Sequence, residues 1–347
     1  MKKEKVSIGC LLVAVCFFML KCTEKKAEYF VQTVNGTLNI DTSKVWLSHE
    51  HLLVDFIGAD SIQDDDWDDT EVLQTMLPYL EELKLYDVNF FVDPTPNYLG
   101  RDPELLRELS QQSGINIITN TGLYGAVGNK YLPDFAFELN AKELAEKWIE
   151  EYKNGIADTG IKPGFIKISV DNLDVLESLD EKLVEAAALT HLKTGLTIAS
   201  HTGATKALWP QLEILRKNKV SPTAFVWVHA QAESEMPEFM KAAESGCWIS
   251  LDGLGWELEK HLEKVIFAKE NGFLDQVLIS HDAGWFDPQK DEQEIVAYTQ
   301  IFKEFLPQLK SAGFTQREID LLLKVNPAKA FGIKIREVDR NDLFAHY

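Results

Sequence analysis

Eight short apolar segments alternate with helix-like stretches along most of this chain, and this rhythm constrains the fold more than any other feature. The segments are VWLSH at 45–49, NFFVD at 89–93, INIITN at 115–120, GFIKIS at 164–169, LTIASH at 196–201, AFVWVH at 224–229, CWISLD at 247–252 and QVLISHD at 276–282. Strands that alternate with helices form parallel sheets, and eight such units close on themselves. The sequence therefore predicts an α/β fold, a (β/α)8 TIM barrel.

The stretches between these segments carry helical periodicity. They include EVLQTMLPYLEELKLY at 71–86, PELLRELSQQ at 103–112, AKELAEKWIEEYKNG at 141–155, DEKLVEAAALTHLK at 180–193 and PEFMKAAES at 237–245. An open doubly wound sheet is the alternative arrangement of such units. No Gly-x-Gly-x-x-Gly follows the first strand, which argues against a dinucleotide-binding sheet.

The barrel is expected to span residues 45–335, with a linker and a short N-terminal β-hairpin extension at 23–44 and a tail at 336–347. Within EYFVQTVNGTLNIDTS at 28–43, Asn-Gly separates two alternating runs, which is a strong signal for a hairpin. We find no linker rich in proline, glycine or serine and no internal repeat, so a single domain is expected.

The first 22 residues have the pattern of a signal peptide. The basic MKKEK precedes a 15-residue apolar run at 6–20, which is short for a membrane span. Cys22 follows, as in a lipoprotein leader, although Lys21 occupies a position where such leaders have a small residue. Ordinary cleavage nearby and an uncleaved anchor are the alternatives. We expect export to a bacterial envelope, in lipid-anchored or periplasmic form. Only Cys247 lies in the body, so no internal disulfide is possible.

The net charge of −20 is spread along the body of the chain. Such an acidic protein would repel phosphate backbones, which excludes nucleic acid as an expected partner. One acidic cluster, QDDDWDD at 63–69, could hold a cation, but a solvated loop is the interpretation that we prefer. The expected partner is a small-molecule substrate.

Most histidines of the chain follow predicted strands. They are His49 and His51 at the first strand, His201 at the fifth, His229 at the sixth, and His281 with the adjacent Asp282 at the eighth. TIM barrels build their active sites at the carboxyl ends of the strands. His49 and His51 can point the same way because residues two apart share a face of a strand. This gathering indicates metal ligands.

Lys167 is a charged residue inside the apolar strand GFIKIS. It could point outward and extend past a helix, but it lies level with the other strand-end residues, which favours a functional role. The histidines and Asp282 supply nitrogen and oxygen donors that suit zinc, and manganese, cobalt or iron would also accept them. A catalytic site of this kind keeps an open position for water, whose pKa the metal lowers.

With these residues identified, the chain resembles the phosphotriesterase family of the amidohydrolase superfamily, which includes phosphotriesterase-like lactonases. The matching positions are His49-x-His51, Lys167, His201, His229 and Asp282, at strands one, four, five, six and eight. Further similar segments are LSHEHLLVDF at 47–56, VDPTPNYLGRDPELLRELSQQSGINIITNTGLY at 92–124 and NPAKAFGI at 326–333. The resemblance covers essentially the whole barrel.

This resemblance implies a site for two divalent metal ions, with zinc as the expected metal. His49, His51 and Asp282 would hold the more buried ion, and His201 and His229 the more exposed one. Lys167 would bridge both as a carbamate, because CO2 converts a protonated amine, which cannot bind a cation, into an anionic oxygen donor. A metal-bridging hydroxide would be the nucleophile, and Asp282 would take its proton.

The resemblance also bears on the substrate pocket. Tyr124, in TGLY, matches a tyrosine that lines the lactonase site near the bridging hydroxide, although a rim aromatic that only packs is an equal alternative. Lactonases of the family usually carry an arginine shortly after strand seven, where this chain has SLDGLGWE at 250–257. Trp256 and Trp285 could wall an apolar pocket in its place.

The predicted function is hydrolysis of a lactone or a related carboxylic ester. A phosphotriester (aryldialkylphosphate) or an amide is the alternative substrate for the same site. An inactive barrel that binds a ligand at the envelope is the non-enzymatic alternative. A single-metal deaminase is disfavoured, because those enzymes generally lack the bridging lysine. Dimers are common in the resembling family, so a homodimer is possible.

Overall fold

The structure is a computed structural model that describes residues 30–63 and 66–338, so the predicted leader with Cys22 lies outside the described residues. The strands are β1 (Phe30–Thr33), β2 (Gly36–Asn39), β3 (Val45–Leu47), β4 (His51–Leu53), β5 (Val88–Val92), β6 (Asn116–Ile118), β7 (Asn120–Thr121), β8 (Phe165–Ser169), β9 (Thr197–His201), β10 (Phe225–Val228), β11 (Trp248–Leu251), β12 (Val277–Ile279) and β13 (Gly284–Phe286).

Helices lie between the strands and after them. They are α1 (Asp69–Leu83), α2 (Pro103–Ser113), α3 (Asp134–Glu138), α4 (Ala141–Asn154), α5 (Ser178–Thr194), α6 (Thr205–Lys217), α7 (Met236–Ser245), α8 (Leu258–Glu270), α9 (Leu306–Ser311), α10 (Gln316–Asp320) and α11 (Asn326–Phe331). No helix in the described part of the chain is long and apolar enough to cross a membrane.

The parallel strands form the predicted TIM barrel. Strands β7 to β12 pair in chain order, and β3, β5 and β6 form a second parallel set. β6 and β7 are two pieces of one barrel strand, interrupted at Thr119. The first and last strands meet where the Ser48 hydroxyl donates to the carbonyl oxygen of Ile279 at 3.3 Å. The (β/α)8 barrel is therefore confirmed.

The strand ends differ from the sequence-based expectation at two places. The first barrel strand stops at Leu47, and a separate short strand, β4, pairs with β13 above the barrel. The segment at 115–120 is divided at Thr119. At Thr119 the pairing changes, because β6 before it pairs with β5 and β7 after it pairs with β8.

The barrel interior is packed with apolar side chains. Trp46 and Phe90 stack with ring centroids 4.1 Å apart, and Phe165 packs edge-on against Phe331 of α11. Each fully buried side chain of this size stabilises the fold by roughly 2–3 kcal/mol. Because side chains alternate along a strand, the inward position of Phe165 places Lys167 inside the barrel as well, one level nearer to the mouth.

The predicted N-terminal hairpin is confirmed. β1 and β2 pair across the Asn-Gly turn, where Gly36 has a φ of 120°. The amide of Val34 donates to the carbonyl oxygen of Ile117 at 2.9 Å, and Val31 packs among the interior residues. The hairpin therefore closes the end of the barrel opposite to the histidines.

Part of the acidic cluster at 63–69 has a structural role. The Asp68 carboxylate accepts hydrogen bonds from the amides of Thr70 and Glu71, which makes it the N-cap of α1. Asp102 caps α2 in the same way and is followed by Pro103 at the first helical position. Asp68 and Asp102 are therefore the N-cap residues at which α1 and α2 begin.

Gly122 provides a test of how tightly the strand bearing Lys167 is enclosed. Its φ is +123°, and an added Cβ would lie 1.9 Å from the carbonyl oxygen of Lys167. We expect Gly122→Ala to lower the free energy of unfolding by about 2–5 kcal/mol, measured by chemical denaturation. Gly36→Ala is the matched control, because Gly36 has a φ of +120° and no atom within 4 Å of the added Cβ. Equal losses would contradict close packing against Lys167.

Candidate metal centre

The predicted ligands converge on one pocket at the mouth of the barrel. The pocket has a volume of about 110 Å³. His49, His51, Lys167, His201, His229 and Asp282 all line it. Each lies at or just beyond the carboxyl end of a barrel strand, except Lys167, which lies in the middle of β8; His51, which follows the barrel strand β3, is also the first residue of β4.

His49, His51 and Asp282 form the tightest group. One ligand atom from each lies within 4.8 Å of the other two. The Nε2 atoms of His49 and His51 are 3.4 Å and 3.1 Å from the same oxygen, Oδ1 of Asp282. Two imidazole nitrogens and one carboxylate that face a common point form a donor set that suits a divalent ion.

His201 and His229 lie beside this group. Their ring centroids are 4.5 Å apart, and those of His49 and His229 are 5.3 Å apart. Lys167 is 1% exposed and lines the same pocket. Its side-chain amine has no hydrogen bond or ion pair with another described residue. His201, His229 and Lys167 are therefore further potential donors on the wall of the same pocket.

Other side chains orient the histidine rings. The Nδ1 atom of His51 is 2.7 Å from Thr95 Oγ1, and that of His229 is 2.7 Å from Asp252 Oδ1. Asp252 is fully buried and also lies 3.7 Å from the Nδ1 atom of His49. Partners on the outer nitrogen fix the tautomer and direct the other nitrogen at the ion.

Tyr124 also acts on a histidine. Its hydroxyl is 3.0 Å from Nδ1 of His201, and the two rings meet edge to face. Burial, with a smaller contribution from Asp282, raises the pKa of Tyr124, so the phenol stays protonated at neutral pH. Tyr124 therefore lies in the pocket and contacts a predicted metal ligand.

The pocket also sets the protonation of its residues. Burial lowers the pKa of His49 to about 4 and that of His201 well below its usual value. Burial also lowers the pKa of Lys167 to about 8. For Asp282 burial acts in the opposite direction, but hydrogen bonds from His49 and His51 outweigh it and lower the pKa. Neutral imidazoles and an ionised carboxylate are the forms that bind a cation.

Trp285 and Trp256, the two tryptophans predicted to wall the pocket, lie at different depths. Trp285 lines the pocket, where its ring meets that of His51 edge to face with centroids 5.8 Å apart. Trp256 is 61% exposed and reaches the site only through Trp285, at 6.3 Å between ring centroids. Trp285 is thus part of the wall and Trp256 is on the rim.

Sequence reasoning missed several residues of this site. The apolar wall opposite the ligands consists of Val54, Phe56, Pro94, Pro96 and Leu99. Asp252 was also missed, although it follows strand seven in the same way that the ligands follow theirs. His281 was grouped with the strand-end histidines, but both of its ring nitrogens bond within the fold, to Glu50 and to the amide of Ile301.

A TIM barrel with such a donor set at the carboxyl ends of its strands has the architecture of a metal-dependent hydrolase. The model of the phosphotriesterase family matches residues 29–331. The chain therefore belongs to the phosphotriesterase family.

Curated relatives agree with this assignment. A phosphotriesterase homology protein of Escherichia coli is 26% identical over 85% of this chain and 100% of its own length. An aryldialkylphosphatase of Saccharolobus solfataricus is 28% identical over 82% of this chain and 94% of its own. An N-acetyltaurine hydrolase of Dictyostelium discoideum is 23% identical over 73% and 72%. The chain is a metal-dependent hydrolase of this family.

Proposed function

We propose that this protein is a binuclear hydrolase, with zinc as its metal, that cleaves a lactone or a related carboxylic ester. One observation carries the proposal. Apart from the Tyr124 hydroxyl, the pocket that gathers the ligand set of His49, His51, Lys167, His201, His229 and Asp282 has an otherwise largely apolar wall. Such a pocket suits an uncharged substrate with a hydrophobic part.

His49, His51 and Asp282 would hold one ion, and His201 and His229 the other. Lys167 would join them after its neutral amine forms a C–N bond with CO2 and releases a proton. The lowered pKa of Lys167, caused by burial, favours the neutral amine that this reaction needs. When bound, the ions supply activation of water and polarisation of the scissile carbonyl group.

Asp282 and Tyr124 then have separate roles. Asp282 faces His49 and His51 through Oδ1, and its Oδ2, which lies 3.9 Å from Nδ1 of His229, would receive the proton of the attacking water. Tyr124 lies 3.0 Å from Nδ1 of His201. If that nitrogen carries hydrogen, it donates to the tyrosine, and the phenol proton is free to orient a substrate oxygen.

The charges of the side chains that line the pocket favour neutral over anionic candidate substrates. Among the described residues that line it, Lys167 is the one cationic side chain, and it is committed to the metal site. N-acetyltaurine carries a sulfonate, for which the apolar wall of Val54, Phe56 and Leu99 offers no charged partner. Burying an unpaired anion is strongly unfavourable. Neutral lactones and esters fit the wall, and a neutral phosphotriester is the second candidate.

The test is a substrate panel assayed by proton release with the metal-loaded full chain. The panel contains lactones of increasing acyl length, a carboxylic ester, a phosphotriester and N-acetyltaurine. We expect hydrolysis of a lactone or ester that improves with acyl length, and none of N-acetyltaurine. Hydrolysis of N-acetyltaurine in preference to every neutral substrate would contradict the proposal. Preference for the phosphotriester would support the second candidate.

Export and anchoring are a separate proposal, based on residues 1–22. A cleaved leader with a lipid on Cys22 would place the enzyme at a bacterial envelope surface. Mass spectrometry of the protein purified from membranes would show a diacylglyceryl adduct on Cys22, and Cys22→Ala would remove it. A mature protein that begins elsewhere, without the adduct, would leave a periplasmic enzyme instead. A homodimer is likewise a proposal.

A further inference from the structure

Glu50 lies between the ligands His49 and His51 in the sequence but does not enter the pocket. Its side chain is fully buried and turns toward the segment that follows β12. A buried carboxylate needs several donors to replace its lost hydration. All of the donors that Glu50 receives come from this one segment.

Four hydrogen bonds reach the two carboxylate oxygens. Oε1 accepts from the Ser280 hydroxyl at 2.7 Å, from the His281 amide at 2.9 Å and from His281 Nδ1 at 2.7 Å. Oε2 accepts from the amide of Ala283 at 3.0 Å. The carboxylate therefore holds the residues on both sides of Asp282.

His281 has the tautomer that this contact requires. The amide of Ile301 donates to Nε2 of His281 at 2.9 Å, so Nε2 carries no hydrogen and Nδ1 donates to Glu50. Both ring nitrogens are thus used inside the fold. This explains why His281 is not a metal ligand although it precedes one.

The segment needs to be held because its backbone is strained. Asp282 has a φ of +53° and Trp285 has a φ of +72°. Residues other than glycine rarely adopt such positive φ values. Strained residues persist only where their surroundings fix them, and they cluster at functional sites. The same strain turns the Asp282 carboxylate toward His49 and His51 and the Trp285 ring toward the pocket.

We infer that Glu50 is a positioning residue: through Ser280, His281 and Ala283 it fixes Asp282 in the conformation that completes the metal site with His49 and His51. The inference rests on the proposed metal-dependent function. It assigns no contact between Glu50 and the ion or the substrate. Loss of an orienting contact of this kind typically weakens metal binding about 10–100-fold.

The test uses Glu50→Gln in the full chain. The side-chain amide of glutamine has the shape of the carboxylate. Because hydrogen-bond donors reach both oxygens of Glu50, the NH2 group of glutamine would face a donor, and not an acceptor, in either orientation. The metal-free protein is titrated with Zn2+ against a chromogenic chelator, and its folding is followed by circular dichroism. We expect one of the two binding steps to weaken at least about 10-fold in protein that remains folded.

Asn326→Asp is the matched control. Asn326 is fully buried and donates from Nδ2 to the carbonyl oxygens of Leu274 and Val277, at the other end of the same strand, β12. Like Glu50→Gln, this substitution replaces one side-chain nitrogen or oxygen with the other. It places a carboxylate oxygen against the two carbonyl oxygens that the amide of Asn326 contacts. We expect it to lower the melting temperature and to leave both Zn2+ affinities unchanged.

Ser280→Ala is a second variant. It removes one of the four donors to Glu50, at 2.7 Å, together with the acceptor of the His49 amide, at 2.9 Å, and it leaves the other three donors in place. We expect it to weaken the same binding step by a smaller factor, and it keeps the test valid if Glu50→Gln does not fold. Wild-type affinity in the folded variants, or an equal loss in Asn326→Asp, would overturn the inference. A wild-type protein that binds no Zn2+ would overturn the proposed function first.

Discussion

Asp282→Asn is expected to lower kcat/KM by roughly 10²–10⁴-fold, the range for loss of a group that moves a proton in the reaction. Asp282 is the carboxylate that both His49 and His51 face, through Oδ1, at 3.4 Å and 3.1 Å. An amide in this place is uncharged and would present either a weaker ligand or a hydrogen-bond donor to the ion. The measurement is the hydrolysis rate together with the metal content of the purified variant.

Asp287→Asn is the control for this prediction. Asp287 lies just after β13, on the other side of this short strand from Asp282, accepts a hydrogen bond from the amide of Gln289 and does not line the pocket. We expect it to hydrolyse substrate at close to the wild-type rate. If Asp282→Asn kept wild-type activity with a normal metal content, the proposed role of Asp282 would be wrong.

Lys167→Met is expected to have the second largest effect. Methionine has nearly the length of lysine but has no amine that could become a carbamate. We expect the bound metal to fall from two ions per chain to one or none, and hydrolysis to fall with it. Stability of the metal-free protein should not decrease, because the substitution removes a buried amine whose desolvation is unfavourable.

Lys130→Met is the matched control for Lys167. Lys130 is near the mouth, where its Nζ donates to the carbonyl oxygen of Phe56 at 2.6 Å, but it does not line the pocket. We expect this variant to keep both ions. If Lys167→Met also kept two ions, Lys167 would not bridge the metals.

The barrel and the convergence of the proposed ligands on one pocket could be predicted because both follow from short periodicities. Alternation of strands and helices indicates parallel units, and the carboxyl ends of parallel strands meet at one edge. His201 and Asp282 therefore came together although they are far apart in the sequence. A functional role for Lys167 was favoured because it lies level with the other strand-end residues, and in the structure the alternation that buries Phe165 also places Lys167 inside the barrel.

The remaining features depend on contacts that periodicity does not contain. Positive φ values at His229 and Asp282 change the direction of the chain where the strands end. The ring nitrogens of His281 bond to the carboxylate of Glu50 and to the amide of Ile301, which lies outside the barrel strands. The apolar wall is built by loops, including Phe56 and Leu99, whose conformation the sequence pattern does not determine.

Metal titration of the full chain, with hydrolysis as the readout, tests the central claim most directly. The protein is stripped with a chelator and reconstituted with Zn2+ in the presence of bicarbonate, and the rate on the best neutral lactone or ester is followed. We predict that hydrolysis is lost on stripping and returns as two ions per chain are added. Hydrolysis that persists without metal, or full activity with a single ion, would contradict a binuclear hydrolase.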